Sequence, residues 1–481
     1  GPDPEDGWWY KFGQHATRIA MSVRNFSFTY KNTYAMTLPG FRPEVGDMFG
    51  QKKHGGFLAP GMDFAFGFTG DGYIDRALQN DWLICNDSVV SPASSNALED
   101  LQLRISLEPI RDLKIDLTAN RTRNRSREIQ YMFEGMPDTR SGNFSMSIIS
   151  IGSAFERPSA GDGYHSGTFE RFRRNLDVIR DRVESQFLGA QYPQGSILAG
   201  KTFDPANGTI SKHSPDVMIP AFLAAYTGKS ARNSALDFFP SLFSMMPNWR
   251  ITYTGLTKIA WFKKNFRSVN LNHAYRSTYS VGSYNTFQSF MSYMGDIGFV
   301  EDVQSGNPIP SSRFDISMVS INEQFSPLIG MDATLKNGLT AKVEYKTSRI
   351  LNLSMSACQL VETASRDFVI GLGYKIVNFN LFSGRNVKDS KNRVSHDLAL
   401  RADISFRNQS ALCRDIQQGF AQATNGNKAL KISCSADYTL SRLLTLRLYY
   451  DRQQNTPLVS SSSYPVVSAD FGFSMKFSLT R

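Results

Sequence analysis

Apolar and polar residues alternate along this chain in runs too long for an ordinary globular strand, and that period constrains the fold more than any other feature. From Ser395 the even positions read His396, Leu398, Leu400, Ala402, Ile404 and Phe406, while the odd ones read Asp397, Ala399, Arg401, Asp403, Ser405 and Arg407. The same division separates Leu101, Leu103, Ile105 and Leu107 from Gln102, Arg104, Ser106 and Glu108. It returns at Leu113, Ile115, Leu117 and Ala119, at Leu339, Ala341, Val343 and Tyr345, and in the last stretch at Phe471, Phe473, Met475, Phe477 and Leu479. Strict alternation marks strands with two unlike faces, and about fifteen such segments can be counted.

Two architectures produce this pattern. One is a soluble β-sandwich, the other a membrane barrel whose apolar face meets lipid and whose polar face lines a lumen. Segments such as Phe266–Ser280 and Ser395–Asn408 exceed the ~5–6 residues of a usual globular strand and suit membrane strands, which need about 9–11 residues in hydrocarbon. Tyr275 and Tyr279 follow Val269 and Leu271 on the apolar parity, where an interfacial aromatic girdle would fall. The longest apolar run, Val217–Tyr226, is interrupted by Pro220 and is too short for a helical span. The expected fold is therefore all-β and membrane-embedded: a large transmembrane antiparallel β-barrel. An odd strand count near fifteen does not close an even-stranded barrel, so the sheet is expected to be part of a larger one.

Connections fit a hairpin meander. Lys336-Asn337-Gly338-Leu339 predicts a type I′ turn and Glu108 to Asp112 a second tight one, while Gln409 to Asn427 and Ser460 to Ser463 are expected to be longer links. A parity flip at Asn25 predicts a β-bulge. Between 156 and 248 the period changes, with Phe169, Phe172, Leu176, Ile179, Val183 and Phe187 spaced by three and four, and Ser166 or Thr168 available as N-cap. A second helix is expected from Asp216 to Thr227, opened by Pro215 and stopped by Gly228. The chain thus divides into barrel strands over 1–155, a helical insert over 156–248 acting as gate, plug contact or partner dock, and barrel strands over 249–481.

Enzymatic motifs are missing. Six scattered histidines, no H-E-x-x-H and no G-x-S-x-G leave no expected catalytic, cofactor or metal site. Gly228-Lys229-Ser230 resembles the end of a P-loop, but Leu223 stands where its first Gly belongs. The 53 Lys plus Arg against 43 Asp plus Glu give a net charge of +10. That excess is spread over strand faces and one helix without an aromatic and basic module, so nucleic acid is not an expected partner. Cys85, Cys358, Cys413 and Cys434 show no paired or metal spacing; a link between Cys413 and Cys434 is possible by sequence, but a small free hydrophobe is the favoured reading. Gly1-Pro2-Asp3-Pro4-Glu5 carries no signal region, which fits either a cytoplasmic protein or a chain starting beyond its targeting segment.

Two charged features stand out. Arg121, Arg123, Arg125 and Arg127 continue the parity of Leu113 to Ala119, so the outward face would turn from apolar to cationic at headgroup height. There the ladder could bind lipopolysaccharide phosphates or an acidic partner, although it could equally be a solvated strand extension. His273 and His396 also fall on the apolar parity, which places each near an interface or on a strand that faces protein instead of lipid.

Four blocks carry a family resemblance: Arg24-Asn25 through Tyr30 with Leu38-Pro39-Gly40-Phe41; Asp216 through Tyr226; Pro247-Asn248-Trp249-Arg250-Ile251-Thr252-Tyr253; and Asn272-His273-Ala274-Tyr275-Arg276-Ser277-Thr278-Tyr279. In these the chain resembles the SprA (Sov) family, the outer-membrane translocons of the type 9 secretion system. The resemblance implies that the chain is the C-terminal portion of a longer polypeptide in the outer membrane of a Gram-negative bacterium. It further implies a very large single-chain pore that exports folded cargo bearing a type 9 C-terminal signal domain, with links to gliding motility and surface display. Implied partners are the N-terminal remainder, a PorV-type barrel that accepts cargo, and a periplasmic plug protein. Thr254 stands where the family has an acidic or polar residue, and Leu479-Thr480-Arg481 lack the usual terminal aromatic. Two other functions remain open by sequence. A TonB-dependent uptake barrel would need a plug domain and an energy-coupling box, and a barrel hydrolase would need acid, base and nucleophile at one rim.

Overall fold

The computed structural model describes residues 22–44, 46–70, 72–84, 91–130, 138–377, 379, 397–440, 444–459 and 464–477. The alternating segments become strands β1 (Val23–Thr37), β4 (Ala93–Ile110), β5 (Leu113–Ile129), β6 (Asp138–Ser147), β7 (Asn248–Tyr253) and β8 (Phe266–Thr286). They continue as β12 (Phe314–Ile316), β13 (Met318–Leu335), β14 (Leu339–Ser354), β15 (Gln359–Ile376), β16 (Leu398–Asp415), β17 (Ala421–Thr439), β18 (Leu444–Pro457) and β19 (Val466–Phe477). All pair antiparallel in one 14-stranded sheet, in the order β1-β4-β5-β6-β8-β13-β14-β15-β16-β17-β18-β19. A hairpin of β2 (Lys52–His54) and β3 (Phe57–Ala59) and a small sheet of β9 (Met291–Met294), β10 (Ile297–Glu301) and β11 (Pro308–Ser312) lie outside it. No helix among the described residues is long and apolar enough to cross a membrane.

β6 and β7 occupy one place in the sheet. Arg121 to Ile129 of β5 pair with β6 and Leu113 to Thr118 with β7, and β8 meets the same two segments on its other side. A single strand is therefore cut in the middle, and nearly the whole helical insert leaves and returns through the cut. Polar side chains stitch the gap. The Ser147 hydroxyl receives the Asn120 N–H at 3.1 Å and the Asn248 amide at 3.2 Å, and Asn248 Oδ1 accepts from the Ser277 N–H at 2.7 Å. β12 and β13 likewise fill one place beside β8. Counted by place, the sheet has twelve positions, an even number and fewer than the expected fifteen.

Two short helices, α1 (Met62–Ala65) and α2 (Tyr73–Gln79), follow β3; inside the insert, α3 (Gly167–Ser185) and α4 (Pro215–Tyr226) form as their patterns require. Ser166 caps α3 by accepting the Phe169 N–H at 3.1 Å, and the stripe from Phe169 to Val183 is buried. α4 starts on Pro215 and is apolar on nearly every side; its residues are buried all round except Pro215 and Leu223, between α3 and the sheet. Phe172 meets Phe222 edge to face, with centroids 6.0 Å apart. The core runs from these helices into Met146, Tyr279, Val281, Ile321, Leu351 and Leu360 of the sheet. A separate small cluster forms under the loop after β1, around Tyr73, Ile74 and Trp82.

Two local expectations change and one holds. Leu335 O accepts from Gly338 N at 3.1 Å and only Gly338 takes a positive φ, 89°. The turn is therefore not type I′, which needs positive φ at Asn337 as well; Asn337 instead uses its side chain to accept from the Leu339 N–H at 3.1 Å. The expected link from Gln409 to Asn427 is mostly strand, since β16 runs to Asp415 and β17 starts at Ala421. The bulge at Asn25 is present, as a register shift between Val23 and Asn25. Ser460 to Ser463 and Cys85 lie outside the described residues, and Cys358, Cys413 and Cys434 are free thiols.

Candidate functional site

One sheet face carries an apolar band, and the register shows how it runs. Straight across the hydrogen-bonded rows, this face presents Phe26, Ile105, Leu117, Trp249, Tyr275 and Phe325 in the first strands. The same row continues as Thr347, Arg366, Asn408 and Lys428 in β14 to β17. A row further along reads Ala341, Leu372, Ala402, Cys434, Tyr450 and Phe471. Followed back through Ala333 and Val269, that row passes beyond the end of β7. The band therefore crosses the strands obliquely. From Phe28 in β1 to Phe473 in β19 it slides by about one residue per strand, which at ~3.4 Å per residue and ~4.8 Å between strands is a slant of about 30–35°. Strands of membrane barrels tilt by about 35–45°. A flat slab of hydrocarbon imposes this geometry on tilted strands, and the side chains stand open to it, with Phe471 72% exposed.

The opposite face is polar and carries both signs. Asn270, Asp332, Lys342, Arg401 and Asp403 line one recess of about 380 Å³. Glu344 lies 3.1 Å from Lys342 and 2.9 Å from Lys346, and Arg407 2.8 Å from Asp367. Such a face suits a water-filled lumen.

The arginine ladder continues the band's face, as its parity predicts, but its guanidiniums are held within the chain. Glu99 of β4 takes Arg125 at 2.7 Å and Arg121 at 3.6 Å, while Arg127 meets Asp138 at 2.9 Å and Asp75 at 3.5 Å. Arg121 stacks 5.2 Å over Phe144, and Arg123 4.8 Å over Phe239 of the insert. Carboxylates and rings of this chain thus engage these guanidiniums, with the Arg125 side chain still 37% exposed. His273 lies on the band's face, and its Nδ1 is 2.6 Å from the Leu328 carbonyl, supplied by the bulge between Phe325 and Ile329. Protein thus covers one side of this imidazole. His396 lies outside the described residues.

The insert packs on the band's face, above the band, and buried charges fasten it there. Glu323 and Arg349 sit opposite each other in β13 and β14 and pair at 2.6 Å. Glu323 also accepts from Ser150 at 2.7 Å and Tyr275 at 2.8 Å, and Arg349 donates to the Ser153 carbonyl at 2.7 Å. Arg414 of β16 is 1% exposed; it pairs with Glu362 at 3.1 Å and donates to the Tyr164 carbonyl at 2.6 Å. Between them Arg366 of β15 donates to the Glu156 carbonyl at 3.2 Å. Three sheet arginines therefore clamp backbone carbonyls of the strap that begins the insert. Burial raises the Glu156 pKa, but hydrogen bonds from Ser166 and Thr168 outweigh it and hold this carboxyl below its ordinary value. Asp216, at the start of α4, has its pKa pushed up by burial despite accepting from the Ser312 N–H at 3.2 Å. None of these clamp residues was singled out from sequence. The signal was available: Glu323, Arg349, Glu362 and Arg414 each break an apolar parity, and the first two do so at facing positions.

Among the described residues, no group of three or more His, Cys, Asp or Glu is arranged to hold a metal. No protein-family model matches the chain, and no curated protein matches it. Among solved structures it is similar to the β domain of the Bordetella autotransporter Brka, at 6% identity over 80% of this chain and 92% of that one, with a TM-score of 0.22. It is also similar to OmpT, an outer membrane protein of Vibrio cholerae, at 9% identity over 94% of this chain and 98% of that one, with a TM-score of 0.20. Superpositions this loose carry no argument, and the slant of the band stands without them.

Proposed function

We propose that this chain forms part of the wall of an outer-membrane pore that conducts folded proteins bearing a type 9 C-terminal signal domain, serving gliding motility and surface display. It acts by enclosing a polar passage and not by chemistry. The observation that carries the membrane reading is the oblique apolar band backed by a charged face. The reading of a wall within a larger pore is supported by the sheet's two ends: among the described residues β1 pairs only with β4, and β19 only with β18. The protein-export reading rests on the resemblance to the SprA (Sov) translocons. Three of its sequence blocks meet where the insert joins the sheet, through Asn248, Ser277 and Tyr275 and through α4 packed above them. The N-terminal remainder of the polypeptide would complete the wall, with a PorV-type barrel and a periplasmic plug protein as alternating partners at its side and lipopolysaccharide around it.

The test is affinity purification of the intact protein from native outer membranes in mild detergent, followed by mass spectrometry. Co-isolation of a second barrel and signal-bearing cargo is expected. Recovery with a TonB-type energy-coupling partner, or alone with hydrolase activity, overturns the proposal.

A further inference from the structure

Where the insert meets the band, large apolar side chains from three separate segments stand in the open. Phe243 is 96% exposed and Ile329 67%, and Leu242, Met246 and Phe155 are exposed beside them. Each is held by its own anchor. The loop bearing Leu242 and Phe243 is tied to the sheet where Met246 N donates to the Ser147 carbonyl at 3.1 Å. Phe155 lies on the strap leaving the sheet, its ring 5.4 Å from Phe325. Ile329 follows the β13 bulge and pairs in register with Tyr345. These anchors set all three segments at the upper margin of the band, beside Trp249 and Tyr275, whose rings stack 4.5 Å apart. Phe239, a few residues before the loop, lies under Arg123, whose row through Phe144 and Val281 runs above that of Tyr275. Above the margin Met146, Ile148, Leu223, Ala224 and Met246 line a mostly apolar recess of about 290 Å³, to which Lys229 and Asp237 also contribute.

A soluble surface would not collect bulky apolar groups from three segments along one line. Bulky apolar and aromatic side chains gathered at the edge of a lipid-facing band are the composition of an interfacial membrane contact. We propose that the underside of the insert is such a contact: it rests on the lipid headgroups at this margin, with Leu242 and Phe243 dipping into the acyl region. The occupant is the lipid bilayer itself, which joins this margin to the band below. The inference rests on reading the band as lipid-facing. The insert is then a cap seated on the membrane surface, and its position on the band's face removes it from the lumen, where a gate would stand.

Photoreactive benzoylphenylalanine placed singly at Phe243, Leu448 and Asp403 of the full-length protein, irradiated in native outer membranes and analysed by mass spectrometry, tests this. Lipid adducts are expected at Phe243 and at Leu448 of the band, and none at Asp403 on the polar face. Adducts at Leu448 with none at Phe243, or with Phe243 joined only to protein, overturn the cap contact and leave the band intact. Absence of lipid at Leu448 itself removes the lipid-facing reading and this inference with it.

Discussion

Glu323 and Arg349 show what a buried pair does in this sheet. Each is nearly removed from water, with side-chain exposures of 2% and 9%; Glu323 also accepts from Ser150 of the strap and from Tyr275, and Arg349 donates to Ser153 of the strap. Desolvating two charges costs several kcal/mol apiece, which their attraction offsets only while both are present. Arg349→Met is therefore expected to destabilise the protein by about 3–5 kcal/mol, because it strands the Glu323 carboxylate. Glu323→Gln with Arg349→Met should recover much of that loss. Denaturant titration followed by hydrogen exchange over residues 150–165 measures both. If the single variant leaves exchange there unchanged, the pair does not fasten the strap. Only half of this arrangement was legible beforehand. Charges breaking an apolar parity are visible in the residues, but that they face each other depends on register, which a three-residue bulge after Phe325 resets.

At the scale of elements, the period of two was informative wherever a strand faces lipid and lost meaning where it does not. β5, β8, β14 and β19 follow the expected parities because one face meets hydrocarbon and the other water. β16 and β17 extend into what looked like a link from Gln409 to Asn427, because there the insert replaces lipid. Leu412 and Arg414 are both buried, Arg414 against the insert, so an arginine occupies a position that lipid would have reserved for an apolar residue. The helices were legible for the complementary reason, since their caps and spacing act within one segment. The cut strand was not, as nothing local tells that Ser147 and Asn248 belong to one place in a sheet. Face assignment in β16 makes a direct prediction. Ile404→Arg, in the middle of the band, should cost about 2–4 kcal/mol of folding free energy in lipid, whereas Ser405→Arg on the polar face should cost little. Equilibrium unfolding of the two variants in bilayers compares them. Equal costs would mean that the faces are exchanged or that the band does not meet lipid.

For the whole molecule, the open question is where the wall ends. Twelve positions are an even number, so β1 and β19 run antiparallel, and this sheet could in principle close on itself. On the proposed function it does not: β1 and β19 each pair with further strands of the same polypeptide, and the lumen is wider than twelve strands enclose. Neighbouring strands bring Cα atoms to about 4.5–5.5 Å, within the reach of a disulfide, which fails beyond ~7 Å. Cysteine pairs combining Ser27→Cys, Thr29→Cys or Lys31→Cys in β1 with Gly472→Cys, Ser474→Cys or Lys476→Cys in β19 sample the registers near the band's middle from the polar face. In the full-length protein, oxidation should link none of them. A control pair across a real seam, Ser405→Cys with Lys431→Cys, which are register partners in β16 and β17, should link readily. Any efficient β1–β19 crosslink would make this a self-contained twelve-strand barrel, too narrow to pass folded cargo, and would return the uptake-barrel reading to first place.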